Sequence, residues 1–157
     1  MDIYLLDRQK DLPIYEEAVK KLASAVVDFE KKSYDELNIH LVDRQEISHL
    51  HALYFNDPSP TDCISFPLCD EDVDTGHRHM GDLFVCPQAA KELAEGPAGA
   101  YEELSLYIVH SLLHLMGYGD VEQEERLEMR RAEKRHMTNL RERELLLKPP
   151  PRDQTEC

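Results

Sequence analysis

The chain has 157 residues and a mass of 18.2 kDa, which suits one domain with an ordinary apolar core. No apolar run approaches the length of a membrane span, and the start Met1-Asp2-Ile3-Tyr4-Leu5-Leu6-Asp7 has the character of neither a secretory signal nor an Arg-rich transit peptide. With 18 Lys and Arg against 32 Asp and Glu the net charge is -14, which favours solubility and opposes non-specific nucleic-acid binding. The expected location is the cytoplasm. The four cysteines, at 63, 69, 86 and 157, form no Cys-x-x-Cys pair and read as reduced thiols, with Cys63 and Cys86 as small core residues on strands.

In chain order, Ile3–Leu6 reads as an edge strand. Pro13 suits a helix start, and Ile14, Ala18, Leu22, Ala25, Val26 and Phe29 keep helical spacing to about Lys31. Leu37–Val42 alternates as a strand, and Asp43 can cap a helix from about Gln45 to Tyr54. Asn56–Pro60 is a turn cluster, and Cys63–Phe66 is a third strand stopped by Pro67. Residues 69–80 read as an acidic loop. Its His77-x-His79 pair could bind metal, but an exposed loop is the simpler expectation because no third ligand stands nearby. Gly81–Cys86 is a fourth strand, Pro87 to about Ala94 a short helix, and Glu95–Gly99 a turn. The segment Ala100–Met116 is apolar nearly all round, as a helix buried in the middle of a fold must be, and Gly117 suits its C-terminal cap. A charged helix follows from about Val121 to Leu147. Residues 1–147 are expected to form the domain, and 148–157, with its Pro-Pro-Pro, a disordered tail.

Two histidines stand on the buried helix. His110 and His114 are at i and i+4, which places both imidazoles on one face about a turn apart. Gly117 stops the helix, and Tyr118-Gly119 can turn the chain so that Asp120 faces the same ion. Two helical ligands and one from the returning loop leave a fourth tetrahedral position for water, the layout of a catalytic zinc site. Taken alone, Asp120 also fits a solvated turn or a helix cap.

The stretch His110-Ser111-Leu112-Leu113-His114-Leu115-Met116-Gly117-Tyr118-Gly119-Asp120 resembles the signature His-Gly-x-x-His-Leu-x-Gly-Tyr-Asp-His of the YbeY family of bacterial rRNA maturation factors. Pro60-Thr61-Asp62-Cys63-Ile64-Ser65-Phe66-Pro67 resembles that family's Pro-Thr-Asp-Val-Leu-Ser-Phe-Pro strand, and Gly81-Asp82-Leu83-Phe84-Val85 its Gly-Asp-Ile strand. Order and separations agree from about Leu37 to Met137. The resemblance implies an α+β, zincin-like fold, with a mixed four-stranded sheet, about five helices and a buried central metal-binding helix. It also implies one Zn2+ ion and endoribonuclease activity on single strands, serving 3′-end maturation of small-subunit rRNA and ribosome quality control. The partners it implies are rRNA in the small ribosomal subunit, a small-subunit ribosomal protein and the GTPase Era. The chain departs from the pattern at the third ligand, where Asp120 replaces the usual His and makes the site harder and more negative. Ser111 and Gly119 replace Gly and Asp, and Phe55 stands where the family carries an Arg thought to face RNA.

The general base is open at this level, with Asp62 and Asp82 as candidates. Each also fits a turn or cap at a strand start. Basic contacts could come from Arg126, Arg130, Arg131, Lys134 and Arg135, but the interleaved Glu122, Glu124, Glu125, Glu128 and Glu133 favour a solvated helix face. Two other functions compete. A zinc peptidase would need Glu directly after the first His, where Ser111 stands. A non-catalytic ribosome-assembly factor that retains the metal fits the acidic charge and the absent Arg.

Overall fold

The computed structural model describes residues 1–55, 62–68 and 76–150, except the side chain of Phe55. Four strands, β1 (Asp2–Asp7), β2 (Glu36–Leu41), β3 (Cys63–Pro67) and β4 (His79–Val85), form one sheet in the order β1-β2-β4-β3. β1 with β2 and β2 with β4 are parallel, and β3 is antiparallel to β4, so the sheet is mixed. Five helices accompany it, α1 (Glu16–Phe29), α2 (Arg44–Phe55), α3 (Pro87–Leu93), α4 (Gly96–Leu115) and α5 (Gln123–Glu142), which makes the fold α+β.

Alternation decides which face each strand buries. Leu37, Ile39 and Leu41 of β2 are fully buried, while Asn38 and His40 face the other way and are half-buried. The first face joins Val19, Leu22 and Val26 of α1 and Leu104, Ile108 and Leu112 of α4 in the main core. On the other face Ile47 of α2 packs with Val42, Ile64 and Cys86 in a smaller cluster. Asp43 caps α2 by accepting from the Glu46 N–H at 2.8 Å. Among the described residues, no helix is long and apolar enough to cross a membrane.

Several boundaries differ from the sequence reading. β4 starts at His79, so His79 and Met80 belong to the sheet and not to the preceding loop. α4 starts at Gly96, with Pro97 in its first turn, so the expected Glu95–Gly99 turn is mostly helix. α5 stops at Glu142, not Leu147. There Glu144 takes φ 56°, and the Leu145 N–H reaches back to the Leu140 carbonyl at 2.8 Å. Leu147 is thereby buried, its N–H donating to Ser105 Oγ at 2.9 Å. The pull of three consecutive leucines toward the core outweighs helix continuation. The turn cluster at 56–60, Cys69, Cys157 and most of the expected tail lie outside the described residues; Cys63 and Cys86 are in no disulfide among the described residues.

His136 on α5 is a fully buried polar side chain. Its Nε2–H donates to Glu30 Oε2 at 2.7 Å, and its Nδ1 is buried without a hydrogen-bond partner. Burial pushes its pKa down, against the opposite pull of Glu30. The unfolded chain takes this proton near pH 6.5 and the folded chain only at lower pH. Stability from the neutral imidazole is therefore complete above about pH 6.5 and is lost as pH falls below it toward the folded pKa. Thermal unfolding of wild type and His136→Gln across about pH 7.5 to 5.5 checks this. The variant, which keeps a donor for Glu30, should lose less stability on acidification.

Candidate metal centre

α4 carries the site because its apolar residues lock it against the sheet and α5. Leu104, Ile108, Leu112 and Leu115 are buried, and the Ser65 hydroxyl of β3 donates to the Ser111 carbonyl at 3.1 Å. His110 and His114 stand on the one face of α4 that meets a cavity, each about a quarter exposed. The helix ends in a Schellman motif. Gly117, at φ 105°, donates to the His114 carbonyl at 3.1 Å, and Tyr118 donates to the Leu113 carbonyl at 3.0 Å. That turn brings Asp120 back over the last turn of the helix.

The ligand atoms of His110, His114 and Asp120 all lie within 4.8 Å of one another, and among the described residues no other group of three such side chains does so. The two Nε2 atoms are 3.0 Å apart, and Asp120 Oδ2 is 3.3 Å from His114 Nε2 and 3.8 Å from His110 Nε2. The protons can be assigned. His114 Nδ1 faces the Tyr118 carbonyl at 2.9 Å, and a carbonyl only accepts, so Nδ1 carries the hydrogen. His110 Nδ1 likewise faces Glu133 Oε1 at 2.9 Å. With the proton on Nδ1, the neutral form of each ring presents an Nε2 lone pair to the other ring and to the Asp120 carboxylate. In that form the two Nε2 atoms and the Asp120 carboxylate are three converging acceptors, a set that suits a cation. A tetrahedral ion with bonds of about 2.0–2.1 Å spaces its ligand atoms by roughly 3.3 Å, within the spread seen here. The outer partners, one carboxylate and one backbone carbonyl, are those that orient metal-bound imidazoles. The residues fit a divalent ion.

Burial works against charge on His110, but the hydrogen bond and charge of Glu133, with the charges of Asp120 and Asp62, outweigh it and raise its pKa. The carboxylates of Glu133, Asp120 and Asp62 thus act together on this histidine. In the sequence Glu133 reads as part of a solvated face, and its spacing from His110 carries no signal of their pairing. Glu133→Ala is expected to weaken metal binding by about 10–100-fold while leaving the fold intact. Chelator competition and circular dichroism check the two halves.

A cavity of about 520 Å³ opens on this group, and Asp62, Ser65 and His51 help to line it. The structure therefore brings Asp62 to the site. Asp82 stands on β4 with its carboxylate 3.5 Å from His40 Nε2, outside the cavity lining. His51 sits in no motif, and nothing in the sequence singles it out. His77 and His79 do acquire an acidic neighbour, both ring Nε2 atoms approaching Glu36 at 3.2 and 3.4 Å, but the three do not converge as the His110 group does. The side chain of Phe55 and residues 56–61 lie outside the described residues.

Tyr118 ties the site to the rest of the fold. Its hydroxyl donates to Glu30 at 2.8 Å, so the residue whose carbonyl orients His114 is anchored to the end of α1.

The same frame occurs in known proteins. Residues 4–141 match the family described as Endoribonuclease YbeY. The chain is similar to the Endoribonuclease YbeY of Protochlamydia amoebophila, with 46% identity over 90% of this chain and 95% of the relative. It is 38% identical to that of Chlamydia abortus, over 94% and 96% of the two chains. The solution structure of TM1509 from Thermotoga maritima superposes with a TM-score of 0.56 at 26% identity, covering 88% of this chain and 89% of that one. With the family match spanning most of the chain, and with these relatives aligned almost end to end, the protein belongs to the YbeY endoribonuclease family.

Proposed function

We propose that this chain is a zinc-dependent endoribonuclease acting on single-stranded RNA in the cytoplasm. We further propose that it serves 3′-end maturation of small-subunit rRNA and ribosome quality control, with the small ribosomal subunit, one of its proteins and the GTPase Era as partners. The observation that carries the reading is the convergence of three acceptor atoms from His110, His114 and Asp120 on one point of an open cavity, in a member of this family.

His110, His114 and Asp120 would hold the ion. A bound divalent ion lowers the pKa of its water and polarises a phosphoryl oxygen. The chain supplies the rest. Glu133 and the Tyr118 carbonyl keep both imidazoles in the tautomer that leaves Nε2 free. Asp62, which lines the same cavity, would accept a proton from the attacking water. Ser65 helps to hold β3 against α4, and with it the wall that carries Asp62.

The peptidase alternative lacks its base, because Ser111 follows His110 and is buried in the core. The net charge of -14 favours the non-catalytic alternative, in which an acidic factor docks on basic ribosomal proteins. Cleavage of a single-stranded oligoribonucleotide separates the readings. The enzyme should cut it, lose activity to a chelator and regain it with zinc. Asp62→Asn should lower kcat by about 10²–10⁴-fold with metal content unchanged. Undiminished cleavage by that variant removes Asp62 from the chemistry, and no cleavage by metal-replete wild type leaves the assembly-factor reading.

A further inference from the structure

A second surface stands apart from the metal cavity. Phe29, the last residue of α1, is 43% exposed and flanks a shallow groove of about 540 Å³ beside α5. Arg131, Lys134, Arg135 and Thr138 line the same groove, together with Glu142. Their spacing of i, i+3, i+4 and i+7 makes one stripe on the outward side of α5, whose inward side buries Met129, Ala132, His136 and Leu140.

Three cations of this stripe meet one carboxylate, Glu142, in the lining of the groove. Arg8, Lys20, Arg44 and Arg141 each have a carboxylate partner. Among the described residues Arg131, Lys134 and Arg135 are in no ion pair. Glu133, the glutamate between them in sequence, is engaged on His110, and Glu122 and Glu125 at the start of α5 are engaged in its capping box. A cluster of open cations in a chain of net charge -14 is a local feature with a local use. At physiological ionic strength the screening length is about 8 Å, so a ligand seated on the stripe meets these cations while more distant acidic groups are largely screened.

The aromatic ring narrows the ligand. Phe29 is set edge-to-face on the buried His136 ring, with centroids 4.9 Å apart, so its position is fixed by the core while much of it stays open. Cations beside an open aromatic ring are the elements that hold single strands, phosphates on the cations and a base stacked on the ring. One residue, Tyr118, touches both the groove and the metal site. Arg135 donates to the Tyr118 hydroxyl at 3.4 Å, and the Tyr118 carbonyl holds His114.

We propose that the groove between Phe29 and α5 binds the single-stranded RNA that flanks the bond to be cut, with phosphates on Arg131, Lys134 and Arg135 and a base on Phe29. This rests on the ribonuclease reading of the neighbouring site. It gives an acidic protein a means of holding RNA without an overall positive surface.

The test uses the full zinc-loaded chain, with binding to a hydrolysis-resistant phosphorothioate oligouridylate of about a dozen nucleotides read by fluorescence anisotropy over a salt series, and cleavage read separately on the unmodified oligouridylate. The double variant Arg131→Gln/Lys134→Gln should bind more weakly and lower the slope of log K against log salt by about 1.4, or about 0.7 for each phosphate no longer neutralised. Phe29→Leu should weaken binding by about 5–100-fold, and Phe29→Tyr should restore it. Wild type that cuts and binds RNA, with affinity and slope unchanged in all these variants, overturns the groove and leaves the ribonuclease reading standing. Binding that depends on the groove without any cleavage supports the groove and removes the catalytic reading. Polyglutamate that displaces RNA equally from wild type and Phe29→Leu points to an acidic protein as occupant and overturns the RNA assignment. Wild type that neither binds nor cuts RNA overturns both.

Discussion

Replacing His114 by alanine is expected to abolish stable metal binding and to lower RNA cleavage by well over about 100-fold, more than the loss of an outer partner produces. His114 supplies one of three converging acceptors, and its Nδ1–H also fixes the Tyr118 carbonyl at the helix end. His110→Ala should behave alike and in addition strand the Glu133 carboxylate, which is only 18% exposed. Both side chains border an open cavity, so the fold should survive. Circular dichroism should be near wild type while zinc retention and cleavage disappear together. Cleavage at wild-type rate by a folded His114→Ala protein would place the chemistry elsewhere.

The largest effect on stability is expected at Gly81. It lies where the register of β4 against β2 shifts, at φ 138°, a conformation that side chains rarely adopt. A Cβ there would collide with the Phe66 carbonyl oxygen and lie 3.1 Å from Pro67 Cα, so the neighbouring strand itself would have to move. Gly81 pairs with Pro67 at the end of β3, and Pro67 and Ser65 line the metal cavity. Gly81→Ala should therefore cost about 2–4 kcal/mol, a large share of the roughly 5–15 kcal/mol that holds such a domain together. Urea unfolding should show a lower midpoint with a similar slope. An unchanged midpoint would mean that the strand pair yields without strain.

Much of this arrangement is legible because local chemistry and fold agree. The apolar run from Leu104 to Met116 can only be an interior helix, and two histidines inside it at one-turn spacing must share a face. Gly117 marks the turn that returns Asp120. The strands expected at Leu37–Val42 and Cys63–Phe66 fall within a residue or so of β2 and β3. What the sequence hides depends on tertiary contact. Glu133 lies on another helix, 23 residues beyond His110, and looks like one of many surface glutamates until α5 packs on α4. The expected end of α5 is too late because Arg143 and Glu144 continue a helical charge pattern, whereas the chain breaks there to bury Leu147. His79 reads as loop because the polar residues before it mask the start of β4, whose pairing with Glu36 of β2 is non-local. His51 reaches the cavity only through the placement of α2.

The central claim is that His110, His114 and Asp120 together hold one metal ion. Elemental analysis of wild type and Asp120→Ala, each purified without chelator and re-equilibrated with zinc, addresses it directly. Near one equivalent of zinc in wild type, lost in the variant with its fold intact, is the result expected. Wild type that takes up no zinc even when zinc is supplied, or Asp120→Ala that retains a full equivalent with undiminished affinity, would contradict it.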